Sequence, residues 1–318
     1  MRDHTVDRFK LVLLLGMYCS HSLRFFPETP VELEPLKLVT YSGFLLSFGV
    51  GCYHAYFRKP WKSVGSKMWR TAGRILLAYY VVGLASDLAF GLARPESEYV
   101  LDLLLLRRFP GFTEFLLSYS LIALLGWLLF PLIKWTTAAP LRMLAGCSLC
   151  MLTTMMPDQG VSSSHLSLVI GRLGWLTFPI LPYLPVFLSG VYLGRHKGSS
   201  GWRIILVASG ASLLAAYLLH PGPEPPQRFP PSASWLLASL AATLLYYRAS
   251  CVLPIPAKTA EFVGRRTLYF FALGHLLLFA IKGRVVLPVW GCCLLGFGIM
   301  AGLFGLAKML DGNTKATE

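Results

Sequence analysis

Charged side chains are what this sequence has least of. They make up 14% of its 318 residues, against roughly 25% in a soluble domain. Acidic residues are the rarer sign, with 15 Asp and Glu against 29 Lys and Arg. So little charge cannot coat a soluble globule of this length, and the mean hydropathy of +0.59 agrees. Asparagine occurs once, as Asn313, outside any N-x-Ser/Thr sequon. A glycosylated eukaryotic surface protein would usually offer one, so a bacterial inner (cytoplasmic) membrane is the expected home. The seven cysteines all fall within or at the ends of apolar runs and read as small core hydrophobes. Cys147 and Cys150 have CxxC spacing without a second ligand pair, so no metal is expected. Internal repeats and long linkers are missing too, which predicts a single polytopic domain over 1–318.

What is abundant is apolar sequence, 55% of the chain. Runs of about 17 to 25 apolar residues are the signature of membrane-spanning helices. Ten candidate spans follow, at 10–26, 38–57, 72–92, 115–133, 140–156, 174–194, 203–219, 233–252, 267–281 and 285–307. The first is expected to be retained, because it carries His21 and Arg24 and no small-residue cleavage site follows it. With the N-terminus placed in the cytosol, 20 of the 29 Lys and Arg fall on the cytosolic side. The positive-inside rule thus predicts an all-α integral membrane protein with about ten transmembrane helices and both termini cytosolic. The net charge of +14 then needs no nucleic acid to explain it.

The loops expected outside are unequal. The stretch 94–114 surrounds an apolar run with Glu96, Glu98, Asp102, Arg107 and Arg108, and predicts a helix lying along the interface. The segment 220–231 (HPGPEPPQRFPP) is proline-rich and predicts a stiff, ordered loop. With the short polar stretch 158–165, these loops are expected to roof an outer cavity admitting a polar substrate.

Lys10 and His21 sit eleven positions apart on the first span. Eleven residues are about three helical turns and about 16 Å of rise, so both side chains share a face. Lys10 then lies at the membrane edge and His21 near the middle of a ~30 Å core. An ionisable group at that depth reads by default as a functional site. Imidazole can accept an acceptor's proton or take up an acyl group; a histidine hydrogen-bonded between helices is the bland alternative. His275, eight residues beyond Thr267, lies about 12 Å into the ninth span and at matching depth. Asp87 is a candidate to orient an imidazole or hydrogen-bond a sugar, against a simple ion pair. Arg24, one turn beyond His21, is a candidate for holding an acceptor. Arg70 and Arg74, spaced i, i+4, share a helix face in a basic loop that also holds Lys67. Guanidinium groups on one face suit phosphates, although a topogenic basic loop explains such a cluster as well. Lys10, Lys67, Arg70 and Arg74 are therefore the candidate cofactor-binding cations, with His21, His275 and Asp87 the candidate catalytic groups.

These residues resemble a family. The opening VDRFKLVLLLGMYCSHSLRFF, with Asp7, Lys10 and His21 in place, resembles the first helix of the transmembrane acyltransferase superfamily. That group includes the acyltransferase-three proteins and heparan-α-glucosaminide N-acetyltransferase with its bacterial relatives. FLLSFGVGCYHAYFRK from Phe44 resembles the second helix, FPILPYLPVFLSGVYLGR (178–195) the sixth, and RFPPS (228–232) the loop before a later helix. FVGRRTLYFFALGH (262–275) resembles the late glycine-arginine segment. Two departures stand out: the family's RxxR is here Arg70-x3-Arg74, with Lys67-x2-Arg70 as a substitute, and its late histidine sits one residue before His275. The resemblance implies transfer of an acyl group, acetyl in the first place, from cytosolic acyl-CoA to a hydroxyl or amine of an extracytoplasmic glycan or lipid-linked sugar. The expected partners are acyl-CoA, that carbohydrate acceptor and the lipid bilayer, with a homodimer left open. The rival reading is a proton-coupled transporter of a polar solute. Its proline-interrupted sixth span, with Pro179, Pro182 and Pro185, has no matching partner elsewhere in the sequence.

Overall fold

The computed structural model describes residues 4–31, 33–92, 97–156, 163–171, 178–196, 201–222 and 224–316. Among them the chain is helical throughout, with no strand. The helices are α1 (His4–Phe25), α2 (Glu34–Cys52), α3 (Gly65–Ala89), α4 (Ser97–Leu104), α5 (Glu114–Leu128), α6 (Phe130–Thr136) and α7 (Pro140–Met151). They continue as α8 (Ser164–Ile170), α9 (Ile180–Arg195), α10 (Gly201–Leu219), α11 (Ala233–Ala249), α12 (Ala257–Arg265), α13 (Thr267–Ile281) and α14 (Val289–Ala316). A π-helical turn, Tyr53–Phe57, extends α2.

Among the described residues three helices are long and apolar enough to cross a membrane, at Glu34–Phe57, Gly65–Ala89 and Val289–Asp311. A fourth arises if α5 and α6 form one span broken by a 90° bend. Large apolar side chains stand exposed along these and other helices, among them Leu77, Leu88, Leu141, Leu149, Val207, Leu218 and Leu294. That much outward apolar surface suits lipid rather than water.

Where the observed helices differ from the expected spans, proline and charge account for much of it. The expected span 115–133 is not straight, because Pro131 in the first turn of α6 has no N–H to continue the ladder. Helix α14 begins at Val289, just after Pro288, rather than at 285. The span expected over 140–156 is α-helical only to Met151, then tightens into a 3-10 turn over Leu152–Met155. Helix α9 opens at Ile180 behind Pro179, and the start of its expected span, at 174–177, lies outside the described residues. Helix α1 has 22 residues, but Asp7, Arg8, Lys10 and Arg24 make it more polar than the three clear candidates.

The chain folds as two compact units, with the boundary inside α2. The first comprises residues 1–40 and 250–318, so the two ends of the sequence build one body. In it α1 packs on α12, α13 and α14. Arg8 ties α1 to the chain before α12, donating from Nε to Ile255 O at 3.0 Å and from Nη1 to Cys251 O at 3.1 Å. At the far end of α1, Leu287 N donates to Phe26 O at 2.9 Å.

The second unit spans 41–249. Its main packings are α3 on α5, α10 on α11 and α7 on α9. Helices α2 and α9 cross at Gly49 and Gly190, where a Cβ on either would strike the other helix's backbone. Small residues at a crossing are how helices approach closely in lipid. Below it Tyr41, Phe115, Tyr119, Phe178 and Tyr183 form a ring-on-ring cluster, with centroids 4.0–6.4 Å apart. Within 94–114 a helix forms as α4, eight residues with Tyr99 and Leu103 buried and Val100, Leu101 and Leu104 exposed.

Candidate functional site

The first unit assembles its site from the two ends of the chain. Helix α1 runs unbroken from Lys10 to His21, so the spacing of about three turns, about 16 Å, holds. Near its start, the buried carboxylate of Asp7 lies directly on the backbone of Gly264 in α12, where any Cβ would overlap Asp7 Oδ1. One turn before His21, the Tyr18 hydroxyl donates to Phe270 O, and its ring covers Gly274 so closely that a Cβ would collide with it. These contacts seat side chains of α1 on glycine backbone in α12 and α13.

His21 and His275 meet at that junction. Their ring centroids are 4.8 Å apart and the planes are inclined by 72°, an edge-to-face contact. His275 is fully buried. Its Nδ1 lies 2.9 Å from the Phe271 carbonyl oxygen. A carbonyl only accepts, so Nδ1 carries the proton and the neutral ring holds a lone pair on Nε2. That Nε2 is buried with no hydrogen-bond partner among the described residues. A buried polar atom left so is costly in an apolar surrounding, and a base poised for a proton is one reason to keep it. Aromatic rings wall the pair: Phe271 at 4.1 Å and Phe279 at 5.8 Å from His275, and Phe25 at 5.7 Å from His21. Tyr18, Phe271 and Phe279 carry no sequence signal beyond their helical spacing around the histidines, i−3 from His21 and i−4 and i+4 around His275.

The other sequence candidates divide between the two units. Lys10 is half-buried in the first unit, and Arg24 is exposed in the last turn of α1, where a cation also suits the helix dipole. Lys67, Arg70 and Arg74 belong to the second unit, exposed on one face of the first three turns of α3. Arg70 Nε donates to Ser66 O of its own helix at 3.2 Å. Lys67, in the first turn of α3, opposes the helix dipole, an arrangement that an anion relieves.

Asp87 belongs to a different structure. It is 1% exposed near the end of α3, and its Oδ2 accepts from the Tyr99 hydroxyl at 2.9 Å and from Arg108 Nε at 3.2 Å. Arg108 also donates to Leu92 O at 3.2 Å and lies over the Tyr99 ring. Burial and the neighbouring carboxylate push the Tyr99 phenol up to about 12, so it stays a donor. Asp87 thus makes the ion pair weighed as its alternative, which anchors α4 and the following loop to α3. Its spacing in the sequence carried no hint of Arg108, twenty-one residues on. No family model matches the chain, and no curated protein matches it either.

Proposed function

We propose that this chain is an integral membrane acyltransferase of ten spans with both termini in the cytosol, passing an acyl group, acetyl in the first place, from acyl-CoA to a hydroxyl or amine of an extracytoplasmic glycan or lipid-linked sugar. The observation that carries the reading is the His21–His275 contact, with His275 Nδ1 held by the Phe271 carbonyl and Nε2 left as a lone pair. His21 takes the acceptor's proton as its oxygen or nitrogen attacks the thioester carbonyl, or carries the acyl group transiently; the C–S bond breaks and the thiolate leaves to be protonated. His275 supplies the second imidazole through which that proton is passed. Lys10, about 16 Å along α1 from His21, is an extended pantetheine arm's length away. Lys67, Arg70 and Arg74 are assigned to the donor's phosphates, and Arg24 to the acceptor.

The test is acyl transfer by purified protein in lipid nanodiscs supplied with radiolabelled acetyl-CoA, together with mass spectrometry of cell-surface glycans with and without the protein. Acetyl-CoA consumption that His21→Ala abolishes, with a glycan gaining one acetyl mass, supports the reading. A proton-coupled transporter would use the same imidazoles as a relay, and would take up a solute with protons while leaving acetyl-CoA intact. The topology has its own check: a reporter after Lys62 should read cytosolic and one after Pro226 extracytoplasmic. The same side for both would make the span count wrong by an odd number.

A further inference from the structure

A second candidate site lies within the second unit. The turn after α7, the end of α8 and the proline-rich segment before α11 enclose a cavity of about 190 Å³. Its polar lining is Thr153, Thr154, Gln227 and Ser232; Ile170 and Pro231 supply apolar wall. No charged side chain is among the described residues that line it.

The hydrogen bonds already made decide what the lining has left to offer. Thr153 Oγ1 donates to Cys150 O at 2.6 Å, and Thr154 Oγ1 donates to Met151 O at 2.7 Å. Both hydroxyl protons are thus turned into the helix end, and only oxygen lone pairs remain for a ligand. Gln227 Nε2 donates to Phe229 O at 3.2 Å, which leaves its amide oxygen and one N–H. Ser232 Oγ accepts from Trp235 N at 3.2 Å as it caps α11. The set is rich in acceptors and carries no charge. Among the described lining residues an anion finds too few donors, and an inorganic cation finds no carboxylate. A molecule that brings many O–H donors of its own fits both conditions.

Size and position narrow the ligand further. Pockets for drug-sized ligands run about 300–1,000 Å³, so this one takes a single ring rather than a chain of them. Helix α7 carries Arg142 in its first turn, whereas the cavity lies just past its last. Helix α11 carries Arg248 in its last turn, whereas Ser232 lies just before its first. Helix α9 ends on Arg195, and Pro179 at its start packs against Gly171 of the cavity wall. The cavity therefore lies at the helix ends opposite three basic termini, the outer end in the topology proposed above.

We propose that this cavity binds one neutral, polyhydroxylated ring, a glycosyl unit, by accepting its hydroxyl protons on Thr153, Thr154 and Gln227. The site stands on its own lining and does not depend on acyl transfer. The test is binding of methyl β-glucopyranoside, methyl β-galactopyranoside and methyl α-mannopyranoside to the full chain in phosphatidylcholine nanodiscs, read by saturation-transfer NMR and calorimetry, with glucose 6-phosphate as the charged control. At least one neutral glycoside should bind, and glucose 6-phosphate more weakly. Thr154→Val and Gln227→Leu should each weaken binding about three- to tenfold, the loss of one neutral hydrogen bond. Thr153→Phe, which fills the cavity, should abolish it at an unchanged melting temperature. If none of the three glycosides binds, or if a folded Thr153→Phe protein binds as the parent does, the assignment is overturned. His275→Asn should leave glycoside binding intact, so loss of catalysis and loss of this site are separable.

Discussion

The two units each bury an ionisable side chain in an apolar helical setting, and they treat it in opposite ways. Asp87 in the second unit has two donors, one phenol and one guanidinium, and the guanidinium is anchored in turn by donating to a backbone carbonyl. His275 in the first unit has one ring nitrogen held and the other buried without a partner. A satisfied buried charge holds elements together, because removing a partner strands the other. An unsatisfied ring nitrogen contributes nothing to holding helices together, and its value is the lone pair it keeps. Burial alone would have ranked the two residues alike; the hydrogen-bond inventory tells structure from chemistry.

The sharpest way to break this comparison is to remove the imidazoles. His21→Ala and His275→Ala should each cut acyl transfer about 10²- to 10⁴-fold, the range for a general base, with acyl-CoA binding nearly unchanged. His275→Phe refines the point, since it keeps the shape and deletes the stranded nitrogen. It should be inactive yet melt within about 1 kcal/mol of the parent. A large loss of stability in His275→Phe would make the histidine structural after all. His275→Asn retains a donor for the Phe271 carbonyl but no Nε2, and should be folded and inactive.

The mirror experiment strands Asp87. Arg108→Met should destabilise the protein by about 2–3 kcal/mol, less than the ~3–5 kcal/mol of a fully buried pair because the guanidinium is partly in solvent. Thermal or denaturant unfolding in nanodiscs measures it, and turnover per folded molecule should not change. If turnover falls instead, Asp87 regains the catalytic role that the structure gives to an ion pair.

A smaller effect is expected from the exposed cations of α3. Replacing Arg70 and Arg74 together by Ala should weaken coenzyme A binding about tenfold, consistent with charge-assisted bonds discounted for exposure. Binding of an acyl-pantetheine lacking the nucleotide phosphates should stay the same; equal losses for both ligands would remove the phosphate assignment. The smallest change is Tyr99→Phe, which deletes one of two donors to Asp87 and should cost about 1 kcal/mol. In the parent the contribution of the Tyr99 phenol should be constant up to about pH 10, where the unfolded phenol titrates, and should be lost between there and about 12, a loss that Tyr99→Phe should not show.

What was legible before folding differs between the two sites for a physical reason. Lys10 and His21 lie on one helix, so their common face and separation follow from helical pitch alone, and α1 indeed runs through both. The apolar runs likewise announce helices wherever they occur, since period and length are local properties. The bend at Leu129 was marked by Pro131, although its 90° size was not. By contrast, Asp87, Tyr99 and Arg108 come from three separate stretches, and their pairing depends on how α4 and its loop fold back on α3. The cavity beside Ser232 depends on three segments as well, and the roofing loops expected outside only hinted at it.

By itself the sequence determined the helical, apolar character of the chain, the shared face of Lys10 and His21, and the grouping of Lys67, Arg70 and Arg74, because each is set by neighbours within a few turns. Only the tertiary structure decided that His275 is the imidazole meeting His21, that Gly264 and Gly274 are the places where α12 and α13 lie flush on α1, and that Asp87 serves an ion pair. Those outcomes hang on contacts across up to 257 positions of sequence, between Asp7 and Gly264, where spacing carries no information and only close packing selects the partner.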